Sequence, residues 1–160
     1  MRHLMIGIAL CLLIPGCSFG PSAKSRDGVI VRNGRGLVAR SAPPYVKKAV
    51  AAANRIAGKP YKWGGGHGTR IDSGYDCSGA TSYVLREAGL LNGSLPSKGF
   101  YRYGRRGEGD WITVWVRDGH VFLTIGGARF DAMGEDSHGG PKWFTSERST
   151  RKFTPRRPKT

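Results

Sequence analysis

The chain has 160 residues, a formal net charge of +15 and 39% hydrophobic residues, which is enough for one ordinary packed domain. It contains no run of eighteen apolar residues, which excludes a membrane-spanning helix of normal length, and its 25 glycines and 9 prolines argue against a bundle of long helices. Its 3 cysteines are too few for a disulfide framework or a four-cysteine zinc site.

The first seventeen residues have the pattern of an export signal. A short basic start precedes an apolar stretch over residues 4–14 and a small-residue ending over 15–17. This pattern predicts a secretory signal peptide over 1–17. The ending resembles a bacterial lipobox, which predicts lipidation of Cys17 and a lipid anchor in the membrane. The alternative is ordinary cleavage near residues 16–20 without a lipid.

A segment rich in glycine, serine and arginine follows over 18–42 and is interpreted as a flexible basic tether, with a short strand possible at 29–31. Pro43 and Pro44 then open a predicted helix. Its apolar residues recur at helical spacing, and Gly58 ends it.

A glycine-rich loop over 61–68 leads toward the second predicted helix. That helix is expected to begin at Cys77 and to run to Ala88, with an apolar stripe at helical spacing. Asp76 or Ser73 is the candidate N-cap, because short polar side chains accept hydrogen bonds from the free N–H groups of a first turn.

The second half of the chain predicts an antiparallel meander. Residues 91–109 are predicted to form a polar loop, and Asp118-Gly119 and Gly126-Gly127 are candidate two-residue hairpin turns. The three predicted strands lie over 111–116, 120–125 and 128–133. Helices followed by a meander predict an α+β fold.

The positive charge is concentrated toward the two ends of the chain. Residues 61–147 carry as many acids as bases, whereas 148–160 carry no acid and are predicted to be a basic C-terminal tail beyond a folded domain at 43–147. Basic arms favour contact with polyanions such as anionic envelope polymers or lipid head groups. A specific nucleic-acid interface is not predicted, because the aromatic residues lie in the neutral part of the chain.

Cys77 is the candidate nucleophile. Once the signal is removed and Cys17 is acylated or lost, Cys77 is the remaining thiol of an exported protein. At the start of a helix, free N–H groups and the helix dipole are expected to lower the thiol pKa and to hold an oxyanion beside the sulfur. The alternative is a small buried hydrophobe.

His120 is the candidate base, because it opens the second predicted strand directly after a tight turn. Alternation places His120 and Phe122 on one face of the sheet. A two-residue turn at Gly126-Gly127 puts Asp131 opposite Phe122 and diagonal to His120. Asp131 is therefore predicted to orient the imidazole as the third member of a triad, with a turn acid or an arginine partner as the alternatives.

Three motifs follow one another along the chain: Tyr61-x-Trp63-Gly-Gly, Asp76-Cys77-Ser-Gly and Gly-His120-Val. Together they resemble the NlpC-type cell-wall cysteine peptidases, a papain-like family related to the CHAP amidases. The resemblance implies a helix that carries the cysteine at its N-terminus and packs on an antiparallel meander carrying the histidine. It also implies hydrolysis of amide bonds in peptidoglycan stem peptides, often between D-glutamate and a diamino acid.

By the same resemblance, Cys77 is the nucleophile, His120 the base and Tyr61 the aromatic residue that helps to position the reacting carbonyl. The third position of the family is usually His and sometimes Asn or Gln, whereas this chain has Asp131 there. His138 is the alternative third residue. The residues expected to line the substrate cleft are Trp63, His67, Asp76 and Ser78, although His67 can equally be an exposed loop histidine.

These patterns predict an exported, lipid-anchored thiol hydrolase of the bacterial envelope that uses a Cys-His-Asp triad and acts on peptidoglycan. Two alternatives remain: an inactive wall- or polyanion-binding lipoprotein with the same fold, and a related acyltransferase or amidase that acts on another amide. No cofactor is expected, and no metal site is expected because the histidines share no close spacing.

Overall fold

The computed structural model describes residues 28–133 and 139–160. The predicted signal peptide with Cys17, and the alternative triad residue His138, lie outside the described residues. In chain order the elements are β1 (Ile30–Arg32), β2 (Arg35–Leu37), α1 (Pro44–Ile56), α2 (Cys77–Glu87), a 3₁₀ helix (Ser97–Arg102), β3 (Arg105–Arg106), β4 (Ile112–Arg117), β5 (His120–Ile125), β6 (Ala128–Asp131), β7 (Lys142–Phe144) and β8 (Thr154–Arg157).

Six of the strands form one antiparallel sheet in the order β3-β8-β4-β5-β6-β7, and β1 and β2 form a separate hairpin. The middle of this sheet is the predicted meander of β4, β5 and β6. The described chain is therefore α+β, as the sequence predicts. No helix within residues 28–133 and 139–160 has the length and apolarity needed to cross a membrane.

Both α-helices bury their apolar sides in one core with the sheet. The buried side chains of α1 recur at helical spacing, as in Val46, Val50 and Ala53. On β5, Val121 and Leu123 belong to this core, whereas the residues that alternate with them face the other side of the sheet. His120 is the first residue of β5 and faces that other side of the sheet. The next residue, Val121, contacts the N-terminal end of α2 through its backbone.

The glycine-rich loop lies directly against the first turn of α2. A Cβ atom at Gly79 would collide with the carbonyl oxygen of Gly65. The same carbonyl accepts a hydrogen bond from the Asp76 N–H at 3.2 Å. The loop and the helix start are thus fixed relative to each other by contacts that only glycine permits at position 79.

The prediction of a basic C-terminal tail over 148–160 is wrong for the stretch that forms β8. This strand lies inside the sheet between β3 and β4. Arg156 is buried, and its Nε donates to the carbonyl oxygen of Tyr103 at 2.7 Å. The basic composition of this segment gives no sign of a buried strand. An arginine can nevertheless be buried, because its aliphatic stem is apolar and its guanidinium can donate to nearby acceptors.

The prediction of a flexible tether over 18–42 is wrong for β1 and β2, whereas β1 confirms, within one residue, the short strand considered possible at 29–31. Gly36 of β2 and Asn54 of α1 exchange two hydrogen bonds of 2.8 Å. Val29 is buried, and its N–H donates to the carbonyl oxygen of Gly126 at 2.9 Å. The predicted loop over 91–109 likewise contains a 3₁₀ helix and the short strand β3. These elements form through contacts between residues far apart in the chain.

The close approach at Gly79 yields a stability prediction. Gly79→Ala should lower the free energy of unfolding by about 1–3 kcal/mol, because the new methyl group meets backbone rather than a movable side chain. The better helix propensity of alanine offsets only part of this loss. Gly68→Ala is the matched control, because Gly68 is exposed and a Cβ atom there meets nothing within 4 Å. Urea unfolding should separate the two variants; equal stability would contradict the described contact.

Candidate active site

Cys77 is the first residue of α2, and Asp76 is the N-cap. The Asp76 carboxylate accepts hydrogen bonds from the Gly79 N–H at 2.6 Å and the Gly64 N–H at 3.0 Å. This confirms the predicted start of the helix and decides between the two candidate caps. A capped first turn holds the thiol at a fixed place at the helix N-terminus.

The Cys77 side chain extends from α2 and is buried against the start of β5. Burial raises the pKa of the Cys77 thiol, and a hydrogen bond from the Val121 backbone offsets this only in part. The negative charges of Asp76 and, more weakly, Asp131 also raise it, while the Ser78 backbone lowers it. The expected low thiol pKa is therefore wrong, because burial outweighs the helix N-terminus.

His120 and Asp131 meet as the strand geometry predicts. Gly126 and Gly127 form the two-residue turn, with φ values of 53° and 84°. Leu123 pairs with Phe130. In an antiparallel pair the next residues along this register are Phe122 and Asp131, so these two lie opposite each other, as predicted. The His120 Nε2 atom lies 3.0 Å from Asp131 Oδ1, and the two side chains are 2% and 0% exposed.

This contact fixes the tautomer of His120. A carboxylate can only accept a hydrogen bond, so in the neutral ring Nε2 carries the hydrogen and the lone pair is on Nδ1. Nδ1 is buried and has no hydrogen-bond partner within residues 28–133 and 139–160. The ring is held by Phe122, stacked at 6.2 Å between centroids, and by the edge contact of Phe153 at 6.1 Å. The imidazole is thus held in one orientation, and its buried Nδ1 atom makes no hydrogen bond with the Cys77 sulfur.

Arg148 is a site residue that sequence reasoning missed. Its Nη1 donates to Asp131 Oδ2 at 2.7 Å and to the Met133 carbonyl oxygen at 2.9 Å, and it lies 3.5 Å from His120 Nε2. The sequence contains no signal for this contact, because Arg148 is one of several basic residues in the supposed tail. Asp131 is therefore both the orienting acid and an arginine partner.

His67 belongs to a hydrogen-bond network beneath the start of α2. Its Nδ1 lies 2.7 Å from Ser94 Oγ, and its Nε2 lies 3.1 Å from Asp76 Oδ1. The Ser78 hydroxyl donates to the same carboxylate oxygen at 2.9 Å. Asp76 and Ser78 are buried, whereas His67 is partly exposed. Asp76 and Ser78 thus support the helix start, and their expected place on a cleft surface remains a prediction.

Tyr61 and Trp63 differ in their surroundings. Burial raises the pKa of Tyr61, and the negative charges of Cys77 and Asp76 raise it further. Tyr61 is partly buried, and its N–H donates to the Gly139 carbonyl oxygen at 3.0 Å. The Trp63 side chain is 87% exposed. Trp63 can therefore contact a ligand at the surface but does not contribute to the core.

A cavity of about 960 Å³ lies on the sheet face that carries His120. Phe122 and Arg148, which contact His120 and Asp131 respectively, are among its lining residues. Cys77 and His120 themselves do not line it. Within the described ranges, no group of three or more His, Cys, Asp or Glu side chains is placed to hold a metal ion.

Neither a scan against models of protein families nor a search of the curated proteins finds a match for this chain. The residues of the site comprise a thiol at a helix N-terminus, an oriented imidazole with one basic nitrogen, and a buried carboxylate shared with an arginine.

The thiol environment yields a pH prediction. Because the pKa of Cys77 is raised, iodoacetamide should alkylate it with a pH midpoint above that of a free cysteine in the same buffer. Peptide mapping by mass spectrometry of the full chain separates Cys77 from the other cysteines. Adding urea should bring the midpoint back to the free value. A midpoint below that of free cysteine in the folded protein would contradict the burial described.

Proposed function

We propose that this protein is a cysteine hydrolase that cleaves amide bonds in peptidoglycan stem peptides, with the bond between D-glutamate and a diamino acid as the preferred one. The single observation that carries the proposal is the contact between His120 Nε2 and the buried Asp131, which leaves Nδ1 without a hydrogen-bond partner among the described residues. The next residue of the strand, Val121, hydrogen-bonds Cys77 through its backbone. The substrate class comes from the motifs around Tyr61, Cys77 and His120. The same resemblance supports a papain-like NlpC-type fold, with the two helices packed on the meander.

The reaction begins with a neutral thiol and a neutral imidazole. His120 Nδ1 takes the proton from Cys77 as the sulfur forms a bond to the carbonyl carbon of the substrate. The carbonyl oxygen becomes an oxyanion, which the free N–H groups of the first turn of α2 stabilise, assisted by the Tyr61 hydroxyl. The proton on Nδ1 then passes to the leaving amine, and a thioester remains on Cys77.

Hydrolysis of the thioester completes the cycle. Water enters, gives one proton to His120 Nδ1 and bonds to the acyl carbon. The carbon–sulfur bond breaks, the proton on Nδ1 returns to the sulfur, and the product leaves as a carboxylic acid that ionises in water. Asp131 accepts the Nε2–H bond throughout and stabilises the imidazolium each time it forms.

Export and anchoring belong to the same proposal. A signal peptide ending at Cys17 and a lipid on that residue would keep the enzyme at the cell envelope, next to its polymer. The exposed arginines at the sheet edge, Arg105, Arg106 and Arg157, would favour anionic envelope polymers. Their attraction is sequence-independent and weakens with salt.

Digestion of purified muropeptides by the full chain tests the proposal. The unaltered protein should release products whose masses show hydrolysis of a stem-peptide amide, and Cys77→Ala should abolish their formation. Cys11→Ala and Cys17→Ala are the matched controls, because each removes a thiol that the proposal does not place in the site. Equal product from the unaltered protein and Cys77→Ala would refute the proposal.

An inactive wall-binding lipoprotein is the second candidate, and the burial of Cys77 and His120 favours it. Such a protein would sediment with isolated cell walls in low salt and be released by high salt. It would leave muropeptides unchanged, and Cys77→Ala would bind as the unaltered protein does. Salt-sensitive binding together with Cys77-dependent cleavage would instead support the hydrolase.

A further inference from the structure

The cavity of about 960 Å³ has a floor formed by the face of the sheet that turns away from the helices. The register places Thr113 opposite Thr124, and Thr124 opposite Arg129, in one row across three strands. These three residues line the cavity, whereas Cys77 and His120 do not. Its volume is in the range of small-molecule sites. The cavity is therefore separate from the triad, and a role for it does not rest on the proposed function.

Two hydroxyl groups on this floor have a hydrogen to donate. Thr113 Oγ1 accepts from the Gly109 N–H at 3.1 Å, and Thr124 Oγ1 accepts from Trp115 Nε1 at 3.0 Å. A hydroxyl that accepts one hydrogen bond can still donate another. Neither threonine hydroxyl donates to an acceptor within residues 28–133 and 139–160. The floor therefore offers two O–H donors to a ligand.

Two arginines add positive charge to one wall of the cavity. Arg148, 24% exposed, uses only Nη1 in its contacts with Asp131 and Met133, and its Nε and Nη2 make no hydrogen bond in the described part of the chain. Arg129 is 7% exposed, with its guanidinium over the Phe144 ring at 3.8 Å and its Nε 4.0 Å from Asp131 Oδ2. Two cations thus share one buried carboxylate, which leaves this wall with a net positive charge.

Three acidic residues also line the cavity and limit the charge that a ligand can carry. Glu108, Asp110 and Glu147 are all exposed. Water and salt screen exposed charges, so these acids do not cancel the buried positive charge of the arginine wall. They do disfavour a dianion such as phosphate. A single carboxylate, which accepts several hydrogen bonds and carries one negative charge, matches this wall best.

We propose that the cavity is a binding site for an organic monocarboxylate. The carboxylate accepts from the Arg148 guanidinium and the Thr124 hydroxyl. Phe122 lies between these two donors, because its ring centroid is 5.7 Å from the Arg148 guanidinium and it precedes Thr124 by two residues on the same strand face. The apolar part of the ligand lies along β4, where Trp111 and Trp115 line the cavity.

NMR of the ¹⁵N-labelled full chain tests the inference, with phenylacetate, its neutral amide phenylacetamide and phenyl phosphate as probes. Phenylacetate should shift the signals of the Trp115 Nε1–H and the Gly127 N–H, which belong to the cavity lining. The Trp143 Nε1–H, which is bonded to Asn54, should not move. Phenylacetate should bind at least about tenfold more tightly than phenylacetamide, because only the carboxylate forms charge-assisted hydrogen bonds. Phenyl phosphate should bind more weakly than phenylacetate.

Variants separate recognition of the carboxylate from the shape of the cavity. Arg148→Gln should weaken phenylacetate binding about tenfold and leave phenylacetamide binding unchanged. Thr124→Val should act in the same way, and Thr124→Ser, which keeps the hydroxyl, should restore binding. Arg151→Gln is the matched control, because it removes an exposed arginine that does not line the cavity. If Arg148→Gln does not fold, the two Thr124 variants carry the test.

Equal affinity for phenylacetate and phenylacetamide would overturn the inference, as would the absence of shifts at the cavity signals with all three probes. An equal loss of both ligands in Arg148→Gln and in Thr124→Val would also overturn it, because merely structural residues would give that result. Cys77→Ala should bind phenylacetate as the unaltered protein does. A protein that prefers the carboxylate but cleaves no muropeptide would refute the proposed function and support the inference. Cleavage through Cys77 without this preference would do the reverse.

Discussion

The site depends on one buried carboxylate, that of Asp131. An ionised group with no solvent contact is tolerated only when hydrogen bonds and opposite charges compensate it. Here the compensation comes from His120 on a neighbouring strand and from Arg148, which lies beyond β7. Removing Arg148 would take away the shorter of the two arginine contacts of this buried group, since Arg129 Nε lies 4.0 Å from Oδ2. The contact therefore ties together three separate parts of the chain and orients the imidazole at the same time.

Local sequence features predict the contact between His120 and Asp131 because it depends on strand alternation and one glycine turn. The same holds for the start of α2 at Cys77, where a polar cap precedes an apolar stripe. Arg148 and β8 could not be predicted in this way, because their partners are far away in the chain and their composition is typical of a solvated tail. The thiol pKa was predicted with the wrong sign for a related reason. Helix position is a local property, whereas burial depends on how the whole domain packs.

The raised pKa of the Cys77 thiol has a consequence for how the chemistry would proceed. When the thiol carries its proton at neutral pH, attack on a carbonyl requires the base to act during the step rather than before it. An oriented lone pair on Nδ1 then matters more than a high thiolate fraction. The network of His67, Asp76 and Ser94 contributes in a different way, since it fixes the helix start that carries the sulfur. The reactivity of the site would therefore depend more on the fixed positions of the Cys77 sulfur and the His120 ring than on a thiolate formed in advance.

The tautomer of His120 is the most direct measure of this organisation. Long-range ¹⁵N–¹H NMR correlations of the imidazole at neutral pH distinguish a hydrogen on Nε2 from one on Nδ1. The account predicts that Nε2 is protonated and Nδ1 is not, and that this preference is lost in Asp131→Ala. A ring with its hydrogen on Nδ1 in the unaltered protein would contradict the account, because the basic nitrogen would then be Nε2, which faces Asp131.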